Sequence, residues 1–186
     1  MNPILFIRHA ETDLAGTFCG HSDPPVNSTG REQIAALIAS LAGQSFDAIY
    51  TSDLRRAVET ATAFAVPIVK SSRLREIHFG KWEGLTWAEI EQRDPAYAQS
   101  WVKSFPALPA PGGEVFESFE RRIVDKVNHL ISLAGSQRIA VVTHAGVMRV
   151  VLRTFLKHTE QEALDRTKSY CSSFRLTLAT PTGDQL

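Results

Sequence analysis

Two apolar runs constrain this chain more than anything else in it: ILFI at residues 4–7 and IAVV at residues 139–142. Each stops two residues later at a histidine, His9 or His144, followed by small residues and a helical pattern. Both read as buried strands. In open α/β sheets the carboxyl ends of the strands form the crevice where ligands bind, so the two histidines can face one another across one pocket. Arg8 precedes His9, and a guanidinium offers a rigid fork of donors to phosphate or carboxylate oxygens. Either histidine alone could be a core residue satisfied by backbone carbonyls. The pair together with Arg8 favours an anion site.

The rest of the chain continues the alternation. Short β-branched or apolar runs at 48–50 and around Ile68 are separated by helical patterns, as in α/β layering. Phe174, Leu176 and Leu178 alternate with Arg175 and Thr177, which reads as a half-exposed edge strand before the TPTGDQL tail. Helices are expected over 30–41, after Ser52 as an N-cap, after the Thr86/Glu89 capping-box pair, and from Asp94-Pro95 toward Phe105. A long amphipathic helix is expected from Phe116 through Ile131 to near Gly135, and a more uniformly apolar one over 147–156. The expected fold is a single α/β domain over 1–186. It is a three-layer sandwich with a mostly parallel sheet, an antiparallel edge strand and a small helical cap at 82–113, where the strand-helix rhythm is interrupted.

Bulk properties narrow the function. Twenty basic residues balance twenty acidic ones, so no basic excess points to nucleic acid or to an anionic membrane, and any anion preference must be local. Cys19 and Cys171 form neither a disulfide framework nor a metal spacing, which fits a cytoplasmic setting. The short run before Arg8 is too brief for a signal segment, and no stretch is long enough to span a membrane. The six histidines are scattered and make no HxxxH pair, so no metal site and no cofactor are expected. Apolar surface around Phe174 would offer a homodimer contact.

The chemistry that fits is phosphoryl transfer, which needs positioning and charge stabilisation more than a covalent framework. In YTSDLRRAVETA, Arg55 has Glu59 four residues on, an ordinary surface ion pair, whereas Arg56 has Thr60 there; Arg56 is therefore the inward arginine. Arg8, Arg56, a protonated His144 and nearby backbone N–H groups such as that of Ala145 would hold a phosphoryl group. His9 would attack through a neutral ring nitrogen while its other nitrogen donates to a backbone carbonyl, giving a transient phosphohistidine. The departing alkoxide then needs an acid. SRLREIHFGKWEGL offers Glu76 and Glu83, and composition does not choose between them.

Taken in order, IRHAET, SDLRRAVETA, LREIHFGKWEG and VVTHAGVMRVVL resemble the histidine phosphatase superfamily, the branch with cofactor-dependent phosphoglycerate mutases and many small phosphatases. The resemblance implies that His9 is the phosphorylated nucleophile, that Arg8, Arg56 and His144 hold the phosphoryl oxygens, and that Glu76 is the proton donor and later the base for water. Ala10 departs from the usual Arg-His-Gly and is tolerable if the backbone there keeps a negative φ. Ala15 replaces a common asparagine. Cys19 and Gly20, in FCGHSD, are expected to contact substrate, and His21 to line the entrance. The 82–113 segment carries Arg93 and Lys103 but no arginine cluster, which disfavours a mutase that binds a bisphosphate. Trp82, Trp87, Tyr97, Trp101 and Phe105 are expected mostly to pack the cap; any that reach the cavity would favour a ring-bearing phosphomonoester. CGHSDPPVNSTG and the stretch from Asp94 to Ile123 most resemble α-ribazole phosphatases, which remove phosphate from a nucleotide-like intermediate in cobalamin assembly. A broad-specificity small-molecule phosphatase is the alternative, followed by a mutase or a phosphate-binding module without turnover.

Overall fold

The computed structural model describes residues 2–177. Five strands, β1 (Ile4–Arg8), β2 (Ala48–Thr51), β3 (Ile68–Lys70), β4 (Ile139–Thr143) and β5 (Ser173–Leu176), form one sheet in the order β3-β2-β4-β1-β5. The first four run parallel, and β5 lies antiparallel on the edge beside β1. Parallel neighbours require crossovers, and helices supply them. These are α1 (Ser28–Ser40), α2 (Arg55–Thr62), and α3 (Trp87–Arg93), α4 (Pro95–Ser104) and α5 (Phe116–Leu133) in succession, while α6 (Ala145–Leu156) and α7 (Glu160–Thr167) lead from β4 to the antiparallel β5.

Strand side chains alternate between two cores. Ile4, Phe6, Ile139 and Val141 meet Phe119, Ile123, Val127 and Leu130 of α5, the apolar face of α6, and Ala163 of α7. Leu5, Ile7, Ile49, Ala140 and Val142 meet Leu37 of α1 and Ala57 and Ala61 of α2. Helix, sheet and helix make the three layers, and the central strands read as continuous apolar runs because both faces are covered.

Ser52 does not cap α2. Its N–H still donates to the Val142 carbonyl, continuing the sheet, and its hydroxyl accepts from Leu54 N–H, so the helix opens two residues later than expected. The Thr86/Glu89 capping box and the Asp94 cap ahead of Pro95 both form. Helix α7, with its own Thr159/Glu162 capping box, is an element the sequence reading passed over. Along β5, Phe174 and Leu176 are buried while Ser173 and Arg175 are exposed. Phe174 is 5% exposed and stacks on Phe6 with 5.4 Å between ring centroids, which removes the apolar edge expected to support a dimer. Leu178 and the TPTGDQL tail lie outside the described residues.

The helical excursion has a closed stem and a core of its own. Lys81 N–H donates to the Pro111 carbonyl and Glu114 N–H to that of His78. Within it Trp82, Ile90, Ala98 and Ala110 are buried, with Phe18, Trp87, Tyr97 and Trp101 packed around them. No described helix is long and apolar enough to cross a membrane.

Candidate active site

Register brings the two histidines together. β1 and β4 are neighbours with Arg8 opposite Thr143, so the next residues, His9 and His144, emerge side by side from the carboxyl end of the sheet. Their ring centroids are 5.0 Å apart. Ala10 is buried and is not among the residues with positive φ, so its methyl group causes no backbone strain.

His9 is fixed on both ring nitrogens. Nδ1 lies 2.6 Å from the Ala10 carbonyl oxygen, which can only accept, so Nδ1 carries the proton. Nε2 therefore keeps its lone pair, and Arg56 Nε donates to it at 3.2 Å. Burial, then the neighbouring Arg56 guanidinium, hold His9 well below the ordinary histidine range despite the Ala10 carbonyl. The ring is neutral at pH 7.

Arg56 is fully buried. Besides His9, it donates through Nη1 to the Ser22 carbonyl at 2.6 Å and through Nη2 to that of Gly20 at 2.7 Å. Arg55 pairs with Glu59 at the surface, as its i,i+4 spacing predicts. Thr60 accepts from Ala10 N–H and donates to the Arg56 carbonyl, so it ties α2 to the residue after His9.

His144 caps the end of β4 and is 1% exposed, and neither ring nitrogen finds a partner among the described residues. Burial first, then Arg56 and His9, push it well below the ordinary histidine range. The protonated His144 expected from sequence is therefore not the state of the protein alone. The ring stands edge-on to His9, and its two buried, unsatisfied nitrogens are suited to a ligand that brings its own charge and acceptors.

The structure separates the two glutamates. Glu76 is 9% exposed and hangs at the start of α6: Oε2 accepts from Gly146 N–H at 2.8 Å and Oε1 from Ile77 N–H at 2.9 Å. Gly146 is glycine for a steric reason, since a Cβ there would land on Oε1 of Glu76. Glu83 instead accepts from the N–H groups of Gly20, His21, Ser22 and Phe79 and from the Ser22 hydroxyl. Burial alone would raise its pKa, but the Ser22 hydroxyl and these N–H groups more than reverse that and hold it below the usual carboxylate range. Glu83 is saturated with donors and organises the 20–22 loop.

A cavity of about 260 Å³ is lined by Arg8, His9, Cys19, Glu76, Ala145 and Tyr170, among others. Gly20 and His21 do not line it, and Arg56 and His144 stand behind His9 rather than in the cavity wall. Gly20 lies behind it, with no room for a Cβ beside the Ile77 carbonyl and Glu83. His21 sits against the Glu76 carbonyl and, 4.7 Å away, the ring of His78. Ala15 is exposed and also stands off the cavity. Arg8 donates through Nη1 to the carbonyls of Thr167 and Lys168 at the end of α7, and its guanidinium lies 3.9 Å from the Tyr170 ring centroid.

Sequence reading missed Tyr170, which lies outside every motif. It also missed Arg122, whose Nη1 donates to the carbonyls of Arg73 and Arg75 and whose Nη2 donates to that of Glu76, while Glu114 pairs with it at 2.7 Å. The small residue after Ala145 was the available signal for Gly146.

Comparison with known proteins identifies the family. The profile of the histidine phosphatase superfamily (branch 1) matches residues 4–184. A metal-independent phosphoserine phosphatase of Arabidopsis thaliana is 32% identical over 80% of this chain and 66% of its own length. An adenosylcobalamin/alpha-ribazole phosphatase of Escherichia coli is 31% identical over 80% of this chain and 76% of its own. Mycobacterial relatives at 33% identity are spanned over 44% of their length, so the chain corresponds to less than half of those proteins. The crystal structure of a putative alpha-ribazole-5'-P phosphatase from E. coli superposes with a TM-score of 0.80 at 28% identity, covering 88% of this chain and 84% of that one. The chain belongs to the histidine phosphatase superfamily, branch 1.

Proposed function

We propose that this chain is a phosphatase that hydrolyses small phosphomonoesters through a phosphohistidine on His9, without a metal. The observation that carries the proposal is the state of His9: a buried, neutral imidazole whose Nδ1–H is committed to the Ala10 carbonyl, leaving the Nε2 lone pair beside a buried arginine in a cavity that Glu76 also lines.

Nε2 attacks phosphorus and the ester P–O bond breaks; the leaving oxygen takes a proton from Glu76. Glu76, now a carboxylate, takes a proton from water, whose oxygen attacks phosphorus and breaks the P–Nε2 bond, which returns inorganic phosphate and neutral His9. Arg8, Arg56 and the Ala145 N–H hold the phosphoryl oxygens, and His144, unsatisfied in the protein alone, pairs with one of them. Glu76 is preferred to Glu83 as the acid because Glu83 is already occupied by five donors.

α-Ribazole 5'-phosphate is the substrate we favour, on the likeness to the E. coli alpha-ribazole phosphatase. The setting would then be cobalamin assembly in the cytoplasm, which suits two unpaired cysteines. A broad-specificity phosphatase is the second reading, supported by the equal likeness to a phosphoserine phosphatase. A mutase is disfavoured because Arg93 and Lys103 are both exposed and neither lines the cavity, which leaves a second phosphate without cations of the cap. The test is phosphate release from α-ribazole 5'-phosphate in excess chelator by the wild type and by His9→Ala. Release by the wild type and none by the variant is expected. Release that needs added metal or survives His9→Ala overturns the mechanism. Equal rates on unrelated monoesters replace the α-ribazole assignment with the broader one.

A further inference from the structure

We propose that the leaving group of the ester occupies a second, apolar chamber on the far side of Glu76, and that this chain therefore favours phosphate esters of alcohols carrying an aromatic ring. The proposal rests on the phosphatase reading above and adds the class of alcohol released.

The chamber measures about 300 Å³ and shares Phe18, Glu76 and Phe79 with the cavity that holds His9. Glu76 is thus a common wall. An oxygen leaving phosphorus must come within hydrogen-bond reach of this carboxyl to be protonated. The carbon skeleton attached to that oxygen then extends from Glu76 into adjoining space, and the chamber provides it. Gly146, which holds the carboxylate by its N–H, lines the same chamber.

The walls specify the chemistry. Trp101, Phe105 and Phe116 form a run of aromatic rings with centroids 5.1 and 5.9 Å apart, and Leu164 faces the chamber from α7. Phe105 is 44% and Leu164 41% exposed, so two large apolar side chains lining one chamber are left wet, the kind of surface a ligand covers. Ionic groups of both signs also line it: Arg149 and Arg153 against Glu120 and Glu160, none of them ion-paired among the described residues, with Glu114 already engaged by Arg122. A wall balanced in charge and rich in rings selects an apolar, aromatic body rather than a second ionic group. A three-carbon amino acid such as serine would leave these rings uncovered.

The test compares 3-phenylpropyl phosphate with n-propyl phosphate, whose leaving alcohols have nearly equal acidity, in the wild type, Leu164→Asp and Phe105→Ala. Burying the phenyl ring should raise kcat/KM on the order of 30-fold for the aryl ester. Each substitution should cut that ratio by about tenfold. Leu164 and Phe105 are partly exposed and outside the two sheet cores, so folded variants are expected; a circular dichroism spectrum checks this. Equal kcat/KM for the two esters in the wild type overturns the chamber proposal while leaving the phosphatase reading intact. So does an aryl preference untouched by both substitutions. Hydrolysis of neither ester, nor of any member of a monoester panel, removes the phosphatase reading and this proposal together.

Discussion

Gly146 shows how much of this site depends on an absent side chain. A helix ordinarily gains up to about 1 kcal/mol when glycine becomes alanine, and Gly146 is the second residue of α6. Here the added methyl would fall on Oε1 of Glu76, with Cδ only 2.9 Å away, and the carboxylate would have to leave its N–H donors. If Glu76 is the acid proposed above, Gly146→Ala is therefore expected to lower kcat by about 10²-fold, and the loss of a charged acceptor for two N–H groups should hold the melting temperature level or lower it despite the helix gain. Thermal unfolding and steady-state kinetics on one preparation measure both, and an unchanged kcat would mean that Glu76 need not occupy this position. The residues that sequence revealed, Arg8, His9, Arg56 and His144, are those whose meaning is local: a strand end, or an arginine lacking an i+4 carboxylate. Glu76 and Glu83 could not be told apart, because their difference lies in donors from the 20–22 loop and from α6, far away in the chain.

Among elements, β1, β2 and β4 were legible because burial on both faces leaves a run of apolar residues with no alternation to interpret. Helix α5 was legible from its 3.6-residue period, and all four of its fully buried residues, Phe119, Ile123, Val127 and Leu130, lie on the expected stripe. Helix α7 was not, since only Ala163 and Thr167 of its eight residues are buried and so short a polar segment carries no apolar period. What joins elements was hidden too. Arg122 reaches from α5 to the carbonyls of Arg73, Arg75 and Glu76 while Glu114 neutralises it, so α5 carries the segment that presents Glu76. Arg122→Ala should cost on the order of 3 kcal/mol by stranding Glu114 and three carbonyls. Arg122→Lys, which restores the charge but not the fork, should recover less than half of that in denaturant unfolding. Full recovery by lysine would reduce the role of Arg122 to charge alone.

At the scale of the whole molecule, the sheet confines its chemistry to one end and places two histidines where protons are unwelcome. Burial and the nearby arginines depress both His9 and His144 in the folded state, whereas both titrate near pH 6.5 when unfolded. Below that pH the unfolded chain binds protons that the folded chain refuses, so stability must fall as pH drops from about 6.5. The two sites together set a limiting slope of about 2.7 kcal/mol per pH unit. Urea unfolding between pH 7 and 5 should show this loss, and His144→Gln should make it shallower; a flat profile would mean that the pocket accepts protons freely. The arrangement around Glu83 has a further consequence, in the rates at which amide hydrogens trade with solvent. Slow exchange is ordinary in strands and helices, whose N–H groups are engaged. In this protein the N–H groups of Gly20, His21, Ser22 and Phe79 are engaged as well, all by one carboxylate. Deuterium should enter these four irregular positions as slowly as it enters a helix, and quickly in Glu83→Gln. The stretch that supplies the carbonyls for Arg56 would then be a fixed wall of the pocket, and any opening that admits substrate would have to occur elsewhere on its rim.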